Sequence, residues 1–185
     1  IYPWLREHFA PRLDDVSPED FYRMINKAQP SLIRTEADEL TYCLHIMVRY
    51  ELERRMFAGE LTAHDLPAQW NRLYKAYLGV DVPNDREGIL QDSHWANGNI
   101  GYFPSYAIGS AYGAQYMRQM QKDFDVSAAV ATGRLTQINR WLEEKIWKYG
   151  CMKDPTPLFE SVCGPFDPTC YTAYLRDKFT EVYGL

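Results

Sequence analysis

The chain has no basic patch or stripe. Its 20 lysines and arginines are scattered among 25 aspartates and glutamates, for a net charge of −5. That excludes the electrostatic footprint of a nucleic-acid binder. No C-x-x-C occurs among Cys43, Cys151, Cys163 and Cys170, so a zinc ribbon is excluded too. There is no internal repeat, no low-complexity segment and no alternating strand pattern. No charged-then-apolar leader stands at the start, so no secretory signal is expected, and the opening Ile1 reads as the start of a piece cut from something longer.

Full charge is also missing over one long stretch. From Ser93 to Met117 there is no Asp, Glu, Lys or Arg, although 24% of the chain is charged. The stretch is no membrane span, because Ser93, Asn97, Asn99, Pro104, Ser105 and four glycines interrupt it, far from the continuous apolar run a bilayer needs. The remaining explanation is the wall of a site. What the chain does have is core-forming material: 46% hydrophobic and 15% aromatic residues over 185 positions, enough for one domain. A chain of this size needs no disulfide staples. Reduced thiols and a cytoplasmic setting are therefore expected, with a bond from Cys163 to Cys170, or from Cys151 to either, as the minor alternative.

Most of the sequence carries helical signals. Ser17-Pro18-Glu19-Asp20 combines a capping serine, proline in the first turn and acids at the positive end, and its helix should stop by Pro30. A second helix is expected from about Leu32 to Ala58. A third begins at Asp65-Leu66-Pro67 and stops at Gly79. From Val80 to Phe103 the periodicity is lost. Pro104 opens a helix to about residue 122, whose small residues Ala107, Ser110, Ala111 and Ala114 favour tight packing. Further helices are expected over about 127–133, 135–149 and 167–183, with a helical turn at 156–162. The fold class is all-α, in a single helical unit over 1–185.

The second helix carries a row of ionisable groups. At roughly 100° per residue, Arg34, Asp38, His45 and Arg49 fall in a sector about 60° wide, and the other side carries Ile33, Leu40, Cys43, Leu44, Met47 and Val48. Arg34 and Asp38, four apart, can pair. A solvent-facing charged stripe is the ordinary reading, and the cluster of Arg49, Arg54 and Arg55 with Glu51 and Glu53 fits a solvated helix. The acids Glu36, Glu39 and Glu53 lie off the row, however, and Thr41 and His45 stand where Lys or Glu would suit solvent. The row then faces a polar cleft, where a guanidinium can clamp a carboxylate by its planar fork.

The charge-poor loop adds His94, able to move a proton or bind a metal, next to Gln91 and Asp92. Asp92-x-His94 alone does not make a zinc site. Tyr102 and Tyr106 are four apart, so in a helical turn their hydroxyls converge and could donate to a developing oxyanion, where one donor is worth about 10²–10³ in rate. The competing reading makes both of them core aromatics.

Longer words in the sequence carry a family likeness. "SLIRTEADELTYCLHIMVRYELE", "GELTAHDLPAQWN", "YLGV" and "GILQDSHWANGNIGYFPSYAIG" resemble the carboxypeptidase Taq family of zinc metallocarboxypeptidases. Its I-R-x-x-A-D motif is met by Ile33, Arg34, Ala37 and Asp38, and its G-x-x-Q-D-x-H-W motif by Gly88, Gln91, Asp92, His94 and Trp95. The likeness runs from "FAPRL" to "YLRDKFTEVYG". One element departs: the family's H-E-x-x-H, whose histidines hold zinc and whose glutamate is the general base, does not occur in this sequence.

The resemblance therefore implies the C-terminal part of such an enzyme, in a helical, neurolysin-like fold with a deep groove. It implies a homodimer, a peptide substrate with a free C-terminus, zinc in the full-length enzyme and none bound to this chain, which alone would be inactive. By the same resemblance Arg34 binds the substrate's terminal carboxylate or fixes the wall that does, and Asp38 orients it. His94 with Tyr102 or Tyr106 stabilises the tetrahedral intermediate, and Gln91 and Asp92 hold His94 or touch substrate. The alternatives are a helical endopeptidase of neurolysin-like type and a non-catalytic helical interaction module.

Overall fold

The computed structural model describes residues 1–185 and contains helices joined by turns, with no strand. The chain divides into two compact units, one made of residues 1–104 and 177–185, the other of 105–176. No helix is long and apolar enough to cross a membrane.

In the first unit, α1 (Tyr2–His8) and α2 (Pro18–Ile25) come first. Ser17 caps α2 as its sequence suggests: Oγ accepts from the Asp20 amide at 3.0 Å and donates to the Asp20 carboxylate at 2.7 Å. A 3-10 turn at Arg34–Glu36 precedes α3 (Tyr42–Phe57), and α4 (Leu66–Leu78) packs against it. Val48 and Leu52 of α3 meet Trp70, Leu73, Tyr74 and Leu78 of α4. Full burial of such side chains contributes about 1.5–3 kcal/mol each relative to exposure. Leu32, Val82, Ile89 and Trp95 pack around this core, so the irregular segment after α4 is laid over the α3–α4 pair. From the far end of the chain, Tyr183 accepts a bond from the Ala28 amide at 2.8 Å, and Lys178 pairs with Glu39.

Two features of α3 differ from the sequence reading. It starts at Tyr42 and not near Leu32, because Asp38 competes with the helical backbone. The Asp38 carboxylate accepts from the Leu40 and Thr41 amides at 2.9 and 3.0 Å and from the Thr41 hydroxyl at 2.8 Å, after an extended Ala37. A short acceptor of this kind stabilises a turn over a continued helix. The buried face is also different. Met47 is 47% exposed and Leu40 41%, whereas His45 and Arg49 are 0% and Glu53 4% exposed. Polar residues at 45, 49 and 53 line the inner face together with Val48 and Leu52, because Tyr74 of α4 meets His45 and the loop over α3 supplies partners to Arg49 and Glu53.

In the second unit, α5 (Pro104–Asp123) is followed by α6 (Val126–Ala131), α7 (Leu135–Lys145), a 3-10 turn at Trp147–Tyr149, α8 (Pro155–Cys163) and the first part of α9 (Thr169–Tyr183), whose last residues belong to the first unit. Asp125 caps α6 through the Ala128 amide at 2.9 Å. Trp141 packs with Met120 and Val126 and donates its indole N–H to Asp123 at 2.7 Å. Tyr112 stacks on Phe159 at 3.9 Å. Gln115 closes the turn between α8 and α9, donating to the Pro165 carbonyl and accepting from the Asp167 amide, both at 2.9 Å. All four cysteines are free.

Candidate functional site

The site grows from one carboxylate. Asp92 sits in the irregular segment after α4, and two arginines from separate places converge on it. Arg34, from the 3-10 turn, donates Nη2 to Oδ1 at 2.7 Å and Nε at 3.1 Å. Arg49, from α3, donates Nε to Oδ2 at 2.7 Å, with Nη2 at 2.5 Å. Burial pushes the Asp92 carboxyl up, yet the bonds and charges of both arginines outweigh it and hold the pKa below its ordinary value. Burial likewise works against the charged Arg34, but Asp92 and Tyr42 raise its pKa. Such a cluster says little about net stability, because desolvation offsets the attraction; what it imposes is a fixed geometry whose partners cannot be removed singly.

Gln91 completes the joint. Its Oε1 accepts from the Arg34 amide at 2.9 Å and from Arg49 Nη2 at 3.0 Å, while its Nε2 donates to the carbonyls of Leu32 and Glu87, each at 3.0 Å. Gly88 makes this approach possible. A Cβ there would lie 2.7 Å from Val82 Cγ1 and 3.0 Å from the Asn84 carbonyl oxygen, so the chain turns tightly only without a side chain. The guanidinium planes are walled by aromatics: Arg49 lies 4.6 Å from the Trp70 ring centroid and 5.2 Å from that of Phe103, and Arg34 lies 5.6 Å from Phe103.

Behind Arg49 lies a second polar layer. Its Nη1 donates to the His45 carbonyl at 2.7 Å and to the Tyr74 hydroxyl at 3.3 Å, and that hydroxyl lies 3.0 Å from His45 Nδ1. Burial, with Arg49 and Arg34 adding to it, lowers the His45 pKa from 6.5 to about 4. The imidazole is neutral at pH 7, so two guanidinium groups share one carboxylate in this region. Tyr42 accepts the remaining bond drawn from Arg34, Nη1 to Oη at 2.9 Å.

The residues singled out in the sequence are thus partly gathered. Arg34, Gln91 and Asp92 form the joint. His94 borders it, with Nδ1 3.9 Å from Asp92 Oδ1, its ring packed on Phe103 at 4.5 Å and stacked with Tyr102 at 5.9 Å. Asp38 stands apart: its carboxylate holds the turn before α3 and the Gln29 amide at 2.9 Å, and Asp92 takes the place expected for it beside Arg34. Tyr106 belongs to the second unit, in the first turn of α5.

Sequence reasoning sets Arg49 both in the row facing a cleft and in a solvated arginine cluster, places Glu53 on the surface, and gives Tyr42 and Tyr74 no role at the site. The signal that could have found them is the i, i+4, i+8 spacing of His45, Arg49 and Glu53, a polar column that continues the row begun at Arg34. No three of the chain's histidines, cysteines, aspartates and glutamates form a metal-holding group.

Comparison with known proteins follows the same lines. A family model described as Carboxypeptidase Taq (M32) metallopeptidase matches residues 1–179. Carboxypeptidase 1 of Bacillus subtilis is 42% identical over 184 residues, which is 98% of this chain and 37% of that protein. Thermostable carboxypeptidase 1 of Thermus thermophilus is 41% identical over 186 residues, covering 100% of this chain and 36% of that protein. The crystal structure of an M32 carboxypeptidase from Deinococcus radiodurans matches with a TM-score of 0.95 at 38% identity, over 100% of this chain and 38% of the other. The chain thus spans little more than a third of the length of these relatives.

Proposed function

Since the chain belongs to the carboxypeptidase Taq (M32) metallopeptidase family, we propose that it is the substrate-side wall of a zinc metallocarboxypeptidase that removes single residues from peptide C-termini. The observation that carries this reading is the buried joint in which Arg34 and Arg49 share Asp92. The two guanidinium groups gathered there are this chain's candidates for attracting a substrate's terminal carboxylate. Arg34 is already engaged by Asp92 and Tyr42, which favours its role as the residue that fixes this wall. His94 and Tyr102, stacked beside the joint, are the groups we assign to the reacting carbonyl. The same role for Tyr106 rests on the family likeness alone.

This chain's own residues do not fit the metal that the family implies, since no suitable ligand group exists among them. The ligands are assigned to the part of the relatives' length that this chain does not span. Isolated, the chain should cleave nothing. Zinc as the metal, a homodimer and a cytoplasmic setting belong to the same proposal and rest on the family likeness.

Product analysis tests the reading. The full-length polypeptide carrying this chain should convert a peptide into a ladder of products shortened one residue at a time from the C-terminus. Internal fragments as the first products would instead assign it to the endopeptidases, and an intact peptide would leave a non-catalytic helical module.

A further inference from the structure

Glu53 has no part in the joint, yet it is only 4% exposed and lies one helical turn beyond Arg49 on the inner face of α3. One of its oxygens, Oε1, accepts two hydrogen bonds, from the Trp95 indole N–H at 2.7 Å and from the Gly101 backbone N–H at 3.1 Å. These donors are the two ends of the turn that runs over Trp95–Asn97 to Gly101. The residues just outside them are His94 and Tyr102, whose rings stack at 5.9 Å with an interplanar angle of 29°. Phe103, the next residue, packs its ring on His94 at 4.5 Å and edge-on to Trp95 at 6.1 Å.

The geometry points to a clasp: Glu53 is a positioning residue that closes the 95–101 turn and thereby sets His94 and Tyr102 against each other at the edge of the Arg34–Asp92–Arg49 joint. A loop of this length with glycines at 98 and 101 is free to wander unless its ends are tied. A carboxylate makes the stronger, charge-assisted kind of bond to N–H donors. Gly101 has φ of +75°, a conformation open to glycine that turns its amide toward Glu53. α3 then holds the whole segment by two side chains four residues apart, Arg49 on Gln91 and Asp92 before the turn and Glu53 on both ends of it.

The inference rests on the function proposed above for His94 and Tyr102, and its test separates the two. Hydrogen exchange at the Gly101 amide and the kinetics of C-terminal residue release are measured on the full-length polypeptide and on its Glu53→Ala and Glu53→Gln variants. In Glu53→Ala the Gly101 amide should exchange at least about tenfold faster. kcat should fall about 10- to 100-fold, with KM inside about threefold, because a small misplacement of reacting groups acts on the transition state. Glu53→Gln keeps an acceptor oxygen and should recover most of both.

Unchanged Gly101 exchange in Glu53→Ala overturns the clasp, and faster exchange with unchanged kcat overturns its role in positioning. Should Glu53→Ala fail to fold, Trp95→Phe removes one of the two donors and keeps the ring. It should show the same two changes at smaller size, and no change in either overturns the proposal. If the unmodified polypeptide releases no C-terminal residue, the functional reading falls while Gly101 exchange still decides the clasp.

Discussion

At the scale of single residues, Asp92 is the side chain whose removal should matter most, and the arginines around it behave as a set. Arg49→Met leaves Asp92 with one cation and takes away the bonds to Gln91, the His45 carbonyl and Tyr74. A loss of about 3–5 kcal/mol in urea unfolding is expected, the cost of breaking a buried pair on one side. A loss below about 1 kcal/mol would mean that the joint is loosely held. His45 makes a pH prediction. Its folded pKa, about 4, is below the ordinary 6.5, so the unfolded chain binds the proton more readily. His45 therefore costs nothing above pH 6.5 and costs progressively more as pH falls from 6.5 to about 4. The total is about 3 kcal/mol. Asp92 adds to the loss only at still lower pH, since its pKa is held below the ordinary carboxylate value and its stabilisation disappears as pH falls through that lowered value. Urea titrations from pH 7 to pH 4 should show this loss, and His45→Gln should remove most of the slope between pH 6.5 and 4.

At the scale of elements, the irregular segment from Val80 to Phe103 is held by contacts that its composition does not advertise. Gly88→Ala places a methyl group against Val82 and the Asn84 carbonyl. It should cost about 1–3 kcal/mol, as overpacking does, and it should shift Gln91 and Asp92 away from the arginines. A thermal melt together with the His45-dependent pH profile would register both effects. Asp38→Ala removes the bonds that hold the turn before α3 and the tie to Gln29 and should cost about 1–2 kcal/mol.

These elements also mark where reading the sequence succeeds and where it does not. Ser17, Pro67 and Gly79 act locally, and the ends they predict for α2 and α4 agree with the structure to within a few residues. The start of α3 escapes the sequence because Asp38 gives its carboxylate to its own backbone instead of to Arg34, and helical spacing cannot distinguish the two. The inner face of α3 escapes it for a different reason. The spacing puts His45 and Arg49 in a row facing a cleft but leaves Glu53 outside it, and the loop partners some 40 positions away that engage Arg49 and Glu53 carry no local signal. The words that carry the family likeness single out Arg34, Gln91 and Asp92, which the fold brings into contact, yet they do not say which carboxylate faces which arginine.

At the scale of the whole molecule, the chain corresponds to one part of longer relatives. It aligns along nearly all of its own length with proteins of which it spans only 36–37%, and its own residues offer no metal-holding group. What it brings is a buried joint of Arg34, Arg49 and Asp92 flanked by His94 and Tyr102. The most direct test is the rate of C-terminal residue release by the full-length polypeptide from a peptide with a free C-terminal carboxylate and from the same peptide amidated. Arg34 and Arg49 are already paired within the joint, so discrimination arises from their attraction for a substrate's charge and not from bonds left unmade. A wall carrying Arg34 and Arg49 predicts a preference for the free carboxylate of about tenfold or more in kcat/KM, and equal rates on the two peptides would contradict it.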